Sequence, residues 1–207
     1  LPSEVDAWLR LEEAFRRLCR LYRFGEIRTP LFESSEITHR SSGETSDIVT
    51  KETYDLTDRG GEKFTLRPEG TPGVIRAAIE HSLLSDSPVV KLAYIAPMFR
   101  YDRPQKGRFR QHHQVGIEVL GSDAPATDAE VIAFGCDLLT AIGVKDAVLR
   151  INSVGSPEDR PVYRKALVEY FAPHADELSE ESRKRLATNP LRILDSKDER
   201  DRKLSEG

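Results

Sequence analysis

The chain has 207 residues and a formal net charge of −4; 38% of its residues are hydrophobic and 32% charged. No apolar run approaches the roughly 20 residues that cross a bilayer, and the acidic balance argues against a generally basic nucleic-acid scaffold. The length suits one large domain, or one domain with a small appendage.

Residues 3–23 are predicted as an amphipathic helix capped by Ser3, because Val5, Trp8, Leu11, Phe15, Leu18 and Tyr22 recur at three- and four-residue steps; Gly25 is expected to end it. Charges interrupt Trp8, Leu9 and Leu11, so this segment does not read as a secretory signal. Residues 26–33, EIRTPLFE, predict a strand broken at Pro30, which suits a sheet edge or an interface. The Ser-, Thr- and Gly-rich stretch 34–49 predicts a loop, and TYDLTD and KFTLRP around Arg59-Gly60-Gly61-Glu62 predict a hairpin. Thr71-Pro72 should open a helix, with the hydroxyl as cap and Val74, Ile75, Ala78 and Ile79 as its buried stripe. Two strands, 89–102 and 111–121, flank a cationic loop, followed by a helix over 128–142 and a strand over 147–155. From Pro157 the sequence is helical, charged and poor in apolar residues, which predicts a small appended module. Helix, mostly antiparallel strands, helix, strand and helices give an α+β class, with a core over 1–156 and the appended module over 157–207. Cys19 and Cys136 sit in apolar helical patterns without metal-ligand spacing, so both are expected as buried free thiols in a reducing compartment, with cytoplasm the expected location.

Chemistry concentrates in three places. In strand 111–121 the alternation puts Gln114, Gly116 and Glu118 on one face and Val115, Ile117 and Val119 on the other. Gln114 and Glu118 then stand about 13 Å apart, and the glycine between them leaves room for one amino-acid side chain; a solvated sheet face fits the same pattern. The loop before that strand carries Arg100, Arg103, Lys106, Arg108 and Arg110, five cations in eleven residues of an acidic chain. Arginine forks pair with phosphate oxygens bidentately, Arg100 at a strand end is held rigidly, and Asp102 beside it can accept from an exocyclic base amine. A nucleic-acid patch or a solvated hairpin tip is the competing reading. Third, in TLRPEGTPG (65–73), Arg67, Glu69 and Thr71 stand just before a helix N-terminus, which offers free N–H groups to a carboxylate or phosphate. Glu69 can neutralise an α-amino group, although an ordinary strand-to-helix turn has the same residues.

TLRPEGT, PMFRYDRPQKGRFRQHHQVGIEVLG and RSSGETSDIVTKE resemble the catalytic domain of bacterial histidyl-tRNA synthetases, members of the class II aminoacyl-tRNA synthetases, and the resemblance runs to NPLRILDSK (189–197). It implies an antiparallel sheet flanked by helices, with part of a helical insertion module. It implies activation of L-histidine by ATP with Mg²⁺, and transfer of the histidyl group to tRNA(His). Arg100 matches the catalytic arginine that grips the ATP α-phosphate and the substrate carboxylate; Asp102 matches the acid that reads the adenine amine, usually Glu. Arg108 matches the loop arginine over the phosphates. His112 stands where the family usually has a phenylalanine against adenine. Glu69, Thr71, Gln114 and Glu118 match the histidine pocket, with Glu69 and Gln114 near the amino group and Glu118 toward the imidazole. No metal-ligating residue is implied. Residues 27–33 match the strand that forms the family's homodimer interface, so Ile27, Pro30, Leu31 and Phe32 are expected there. The later arginine-bearing motifs and the anticodon-binding domain have no counterpart here, so a fragment inactive alone is expected. Two alternatives share these residues: a histidine-sensing regulatory paralogue of a histidine-biosynthetic phosphoribosyltransferase, and a nucleic-acid-binding module using the basic loop alone.

Overall fold

A computed structural model describes residues 1–42, 52–102, 105–153 and 155–205. The amphipathic N-terminal segment is α1 (Pro2–Leu21), which buries Phe15, Leu18 and Cys19. It starts before Ser3, so that residue is no cap. Its end is also one turn earlier than Gly25. Arg23 takes the left-handed conformation (φ 61°), and the Phe24 amide donates back to Cys19 O at 2.8 Å, as in a Schellman ending. Gly25 is thereby released into β1 (Gly25–Glu26).

The central layer is the sheet β1–β5–β6, made with β5 (Val90–Phe99) and β6 (Gln111–Leu120). The long hairpin β5–β6 is antiparallel in unbroken register from Val90↔Leu120 to Phe99↔Gln111; β1 joins β5 in parallel. Period-two alternation gives this sheet two apolar faces. On one, Ala93, Ile95, Val115, Ile117 and Val119 meet Phe15, Leu18 and Phe24, together with Phe134 of α5 (Pro125–Ala141). The Phe134 ring stands edge-on to Phe15, Tyr22 and Phe24. Lys91 Nζ ties the layers by donating to Tyr22 O at 2.8 Å and Glu130 Oε1 at 2.7 Å.

On the other face Leu92, Tyr94, Ala96 and Met98 pack with Ile27 and with Val74 of α3 (Thr71–Glu80). A second sheet, β2–β4–β3, lies before α3 in the chain, formed by β2 (Phe32–Ser34), β3 (Tyr54–Thr57) and β4 (Lys63–Leu66), with the expected β3–β4 hairpin. The predicted strand over 26–33 is thus divided at Pro30 between two sheets. Arg76 of α3 grips the buried Glu33 of β2 with two hydrogen bonds, at 2.8 and 3.0 Å. That pair turns the helix: Val74, Ala77 and Ala78 are buried, while Ile79, expected inside, is 73% exposed.

Other expectations are corrected. Residues Ser35–Ser42 form a helix, α2, not a loop, because Ser35 and Thr38 turn inward and the Ser35 hydroxyl accepts from Thr65 Oγ1 at 2.9 Å. The rest of that segment, 43–49, lies outside the described residues. Cys136 is exposed on α5; Cys19 is buried, and burial, with Glu26 second, pushes its thiol up to about 11. A short helix, α4 (Leu83–Asp86), precedes β5. The described part of 147–155 is no strand, since no neighbour pairs with it, and Val148 and Ile151 are exposed.

The chain divides into two compact units, Leu1–Ala147 and Val148–Gly207. The second contains α6 (Asp159–Phe171), α7 (Glu180–Thr188) and α8 (Glu199–Ser205) around Leu167, Phe171, Leu178 and Ile193. Its small apolar core is supplemented by a polar one. Asp201 is fully buried and accepts from Ser179 N and Oγ, Ser182 Oγ and Ser196 Oγ at 2.6–2.8 Å. Burial alone would raise this carboxyl; the serine donors outweigh it and hold it down to about 2. Among the described residues no helix is long and apolar enough to cross a membrane.

Candidate functional site

Three segments of the first unit converge on one face of the β5–β6 hairpin: the end of β5, the turn 67–70 and the even-numbered residues of β6. Arg67 fixes the turn. Buried itself, it donates to Pro97 O and Thr29 O at 2.9 Å, to Thr29 Oγ1 at 3.1 Å and to Pro30 O at 3.2 Å. Burial lowers its pKa from the usual arginine value, with Glu33 opposing, and three carbonyls take the place of water around the cation. Its backbone amide and carbonyl join the same seam, to Leu31 O and from the Phe99 amide, each at 3.0 Å.

Arg100 follows directly. Its amide donates to Arg110 O at 2.9 Å, closing the base of the cationic loop, and its Nε donates to Pro68 O at 2.9 Å. One edge of the fork is thereby spent on orientation. Further out, Asp102 and Arg108 pair at 2.9 Å, and Arg110 stacks on Tyr101, 4.1 Å from its ring centroid. The loop tip is a tight turn, Gln105–Arg108, with Gly107 at φ 82°. Arg103 lies outside the described residues. Asp102 and Arg108, expected on the adenine and the phosphates respectively, are here each other's partner.

Behind the loop, His112, Gln114, Gly116 and Glu118 lie across from Met98, Ala96, Tyr94 and Leu92. The His112 imidazole is shifted down, first by burial and then by neighbouring Arg100 and His113, which favours its neutral form. His113 points the other way and meets Trp8 edge-on, with ring centroids 4.6 Å apart. Gln114 Oε1 is buried and has no hydrogen-bond partner among the described residues. A buried amide oxygen left so is costly, and a donor on a ligand would remove that cost.

Thr71 is not the helix cap the sequence predicts. Gly70 takes that position, and Thr71, in the first turn, donates from Oγ1 to Glu118 Oε1 at 2.6 Å. Gly116 does not leave an empty gap either. The Tyr94 ring lies over it, and a Cβ on Gly116 or on Gly70 would fall inside the ring's van der Waals envelope. Burial, Glu118 and Glu69 push the phenol up to about 12, with Thr71 opposing. Glu69, Thr71, Tyr94 and Glu118 therefore form one polar group. Glu69 and Thr71 also border a cavity of about 810 Å³ lined by Ile37, Arg40, Ile75 and Arg76.

Of the predicted residues, Glu69, Thr71, Gln114 and Glu118 surround one floor; Arg100 and His112 adjoin it at the loop end. Sequence reasoning missed Tyr94 and gave Arg67 no structural task. The signal for Tyr94 was a glycine flanked by two polar residues on the neighbouring strand, legible only once the register is known.

The family model for histidyl-tRNA synthetase matches residues 1–159. The histidine–tRNA ligase of Pelotomaculum thermopropionicum is 53% identical over 198 residues, 96% of this chain, and that of Levilactobacillus brevis 52% over 206, or 99%. The chain spans about half the length of these relatives, 47% and 48%. The crystal structure of apo Staphylococcus aureus histidyl-tRNA synthetase matches with a TM-score of 0.72 and 36% identity over 100% of this chain and 50% of that one. A Bacillus halodurans protein described as an ATP phosphoribosyltransferase regulatory subunit/histidyl-tRNA synthetase shares the fold, at 21% identity and a TM-score of 0.64, over 60% of its length.

Proposed function

Because the chain belongs to the histidyl-tRNA synthetase family, we propose that its first unit supplies the ATP- and histidine-binding part of a site that forms histidyl-adenylate. The observation that carries this reading is the joining of Arg100, by way of the Pro68 carbonyl, to the turn that bears Glu69 and Thr71, beside the unpaired Gln114 oxygen.

Histidine would lie over β6 with its α-amino group between Glu69 and Gln114 and its imidazole toward Glu118. A histidine carboxylate oxygen attacks the α-phosphorus of ATP; the bond from that phosphorus to the bridging oxygen breaks, and pyrophosphate leaves. Arg100 bridges the carboxylate and the α-phosphate, so it both aligns the attack and takes up the charge that redistributes. Arg108 and Asp102 part to receive phosphates and the adenine amine. Their ion pair is partly exposed and worth at most about 1 kcal/mol, so exchanging it for ligand contacts is easy. His112 stacks on adenine as a neutral ring. Magnesium, carried on the nucleotide, would share the phosphate charge when bound; among the described residues no three His, Cys, Asp or Glu side chains stand together, and no ligand is assigned to it. The histidyl group then passes to the terminal adenosine of tRNA(His), and the protein works in the cytoplasm as a homodimer.

The test is histidine-dependent ATP–pyrophosphate exchange by the full-length gene product. Exchange that requires histidine supports the reading. Histidine binding without any exchange supports the regulatory, histidine-sensing alternative and overturns this one.

A further inference from the structure

A tyrosine inside a sheet normally needs no functional explanation, but the surroundings of Tyr94 are arranged for it from both sides. Its ring lies between two bare backbones, Gly70 in the turn before α3 and Gly116 on β6, and either glycine would collide with it if it carried a Cβ. Glycine weakens a strand interior such as that around Gly116, so its presence there, with a second glycine facing the same ring, indicates that close approach is required. The hydroxyl end of the ring lies against both bare backbones, where Thr71 donates to Glu118 at 2.6 Å and the Glu118 charge helps to push the phenol up. A phenylalanine would fill the slot equally well. A buried phenol persists where its hydroxyl has a partner, and the nearby carboxylate is the one assigned to the imidazole.

We propose that Tyr94 is a positioning residue: wedged between Gly70 and Gly116, it sets the depth of the amino-acid pocket and, with Thr71, holds the Glu118 carboxylate toward the substrate side chain. The inference rests on the histidine-activating function proposed above. Glutamate has three side-chain torsions, and one hydroxyl on Oε1 leaves the carboxylate free to swing. A second hydroxyl from the opposite strand removes that freedom before the substrate arrives. The phenol keeps its proton throughout the working pH range, so its role as a donor to Glu118 does not titrate. The ring itself occupies space above Gly116 that would otherwise deepen the pocket toward larger side chains.

The test measures ATP–pyrophosphate exchange by the full-length gene product carrying Tyr94→Phe, Gly116→Ala, Tyr94→Leu, or both of the latter. Tyr94→Phe keeps the wedge and loses the hydroxyl. It should raise the histidine KM on the order of tenfold, as expected for losing a hydrogen bond to a charged group, with the ATP KM and thermal midpoint unchanged. Gly116→Ala expels the ring and should raise the histidine KM at least as far; in the Tyr94→Leu background the same methyl should add little, because the space is already open. A histidine KM within twofold of the parent for Tyr94→Phe, or an equal rise in both KM values, overturns the positioning role. Additive losses in the double variant overturn the slot. Absence of histidine-dependent exchange in the unsubstituted protein overturns the proposal together with the functional reading, whereas an active parent with an indifferent Tyr94→Phe variant overturns Tyr94 alone.

Discussion

Arg100 illustrates how one side chain can be both anchored and available. Its Nε–H is spent on Pro68 O, which sets the plane of the guanidinium; the terminal nitrogens lie in the same plane and inherit that orientation. Removing such a preorganised donor costs on the order of 10²–10³ in rate, so Arg100→Ala should slow single-turnover adenylate formation by that factor at saturating ATP and histidine. Arg100→Lys should recover little, since an ammonium cannot hold the Pro68 carbonyl and a bidentate anion at once. Rates within a few-fold of the parent for Arg100→Ala would remove this residue from the reaction. The same logic separates Arg67 from Arg100: Arg67 uses both Nε and a terminal nitrogen on Pro97 O, Thr29 O, Thr29 Oγ1 and Pro30 O, whereas Arg100 spends its Nε on Pro68 O.

At the scale of elements, the seam made by Arg67 joins the Thr29–Pro30 bend, the exit of β4 and the end of β5. Arg67→Met would leave the carbonyls of Thr29, Pro30 and Pro97 without this donor, and a loss of about 3 kcal/mol is expected in urea unfolding, with the slope unchanged. A loss under about 1 kcal/mol would mean that water substitutes for the guanidinium. The hairpin also explains what the sequence made legible. Period-two alternation alone placed Gln114, Gly116 and Glu118 on one face and Val115, Ile117 and Val119 against the core. Register is a different quantity: the length of a loop such as 100–110 does not determine which β5 residue faces Gly116, so Tyr94 could not be seen. The same limit applies to α2. A run of Ser and Thr reads as a loop because those side chains compete for the backbone, and it takes the burial of Ser35 and Thr38 against β4 to make it a helix. Residues 147–155 failed in the opposite direction: local β propensity is present, but a strand exists only through a partner.

For the molecule as a whole, the two units are stabilised by different means. In the second, the Asp201 carboxyl has a folded pKa of about 2 against an ordinary value of 3.8, so ionisation contributes about 2 kcal/mol above pH 4. A depressed folded pKa means the contribution is lost as pH falls from about 4 to about 2. Hydrogen exchange of amides in 179–201, corrected for intrinsic rates, should show opening rise about thirtyfold across that window, and Asp201→Asn should abolish the dependence. In the first unit, Leu31 and Phe32 are 44% and 55% exposed, whereas Ile27, also expected at an interface, packs against the Val74–Tyr94 cluster. An isologous contact repeats each change on both sides, so Phe32→Glu should convert the proposed full-length dimer to monomers in sedimentation; a dimer that tolerates the charge would place the two-fold elsewhere. The ring slot has a last consequence, for the routes by which such a pocket can change. Gly70, Tyr94 and Gly116 come from three separate stretches of chain, yet a side chain gained at either glycine must displace the tyrosine ring unless that ring has already shrunk. Substitutions here are therefore ordered by cost: a lineage, or a designer, seeking a new amino-acid specificity meets no clash if position 94 shrinks first, whereas a path that begins at a glycine must displace the ring.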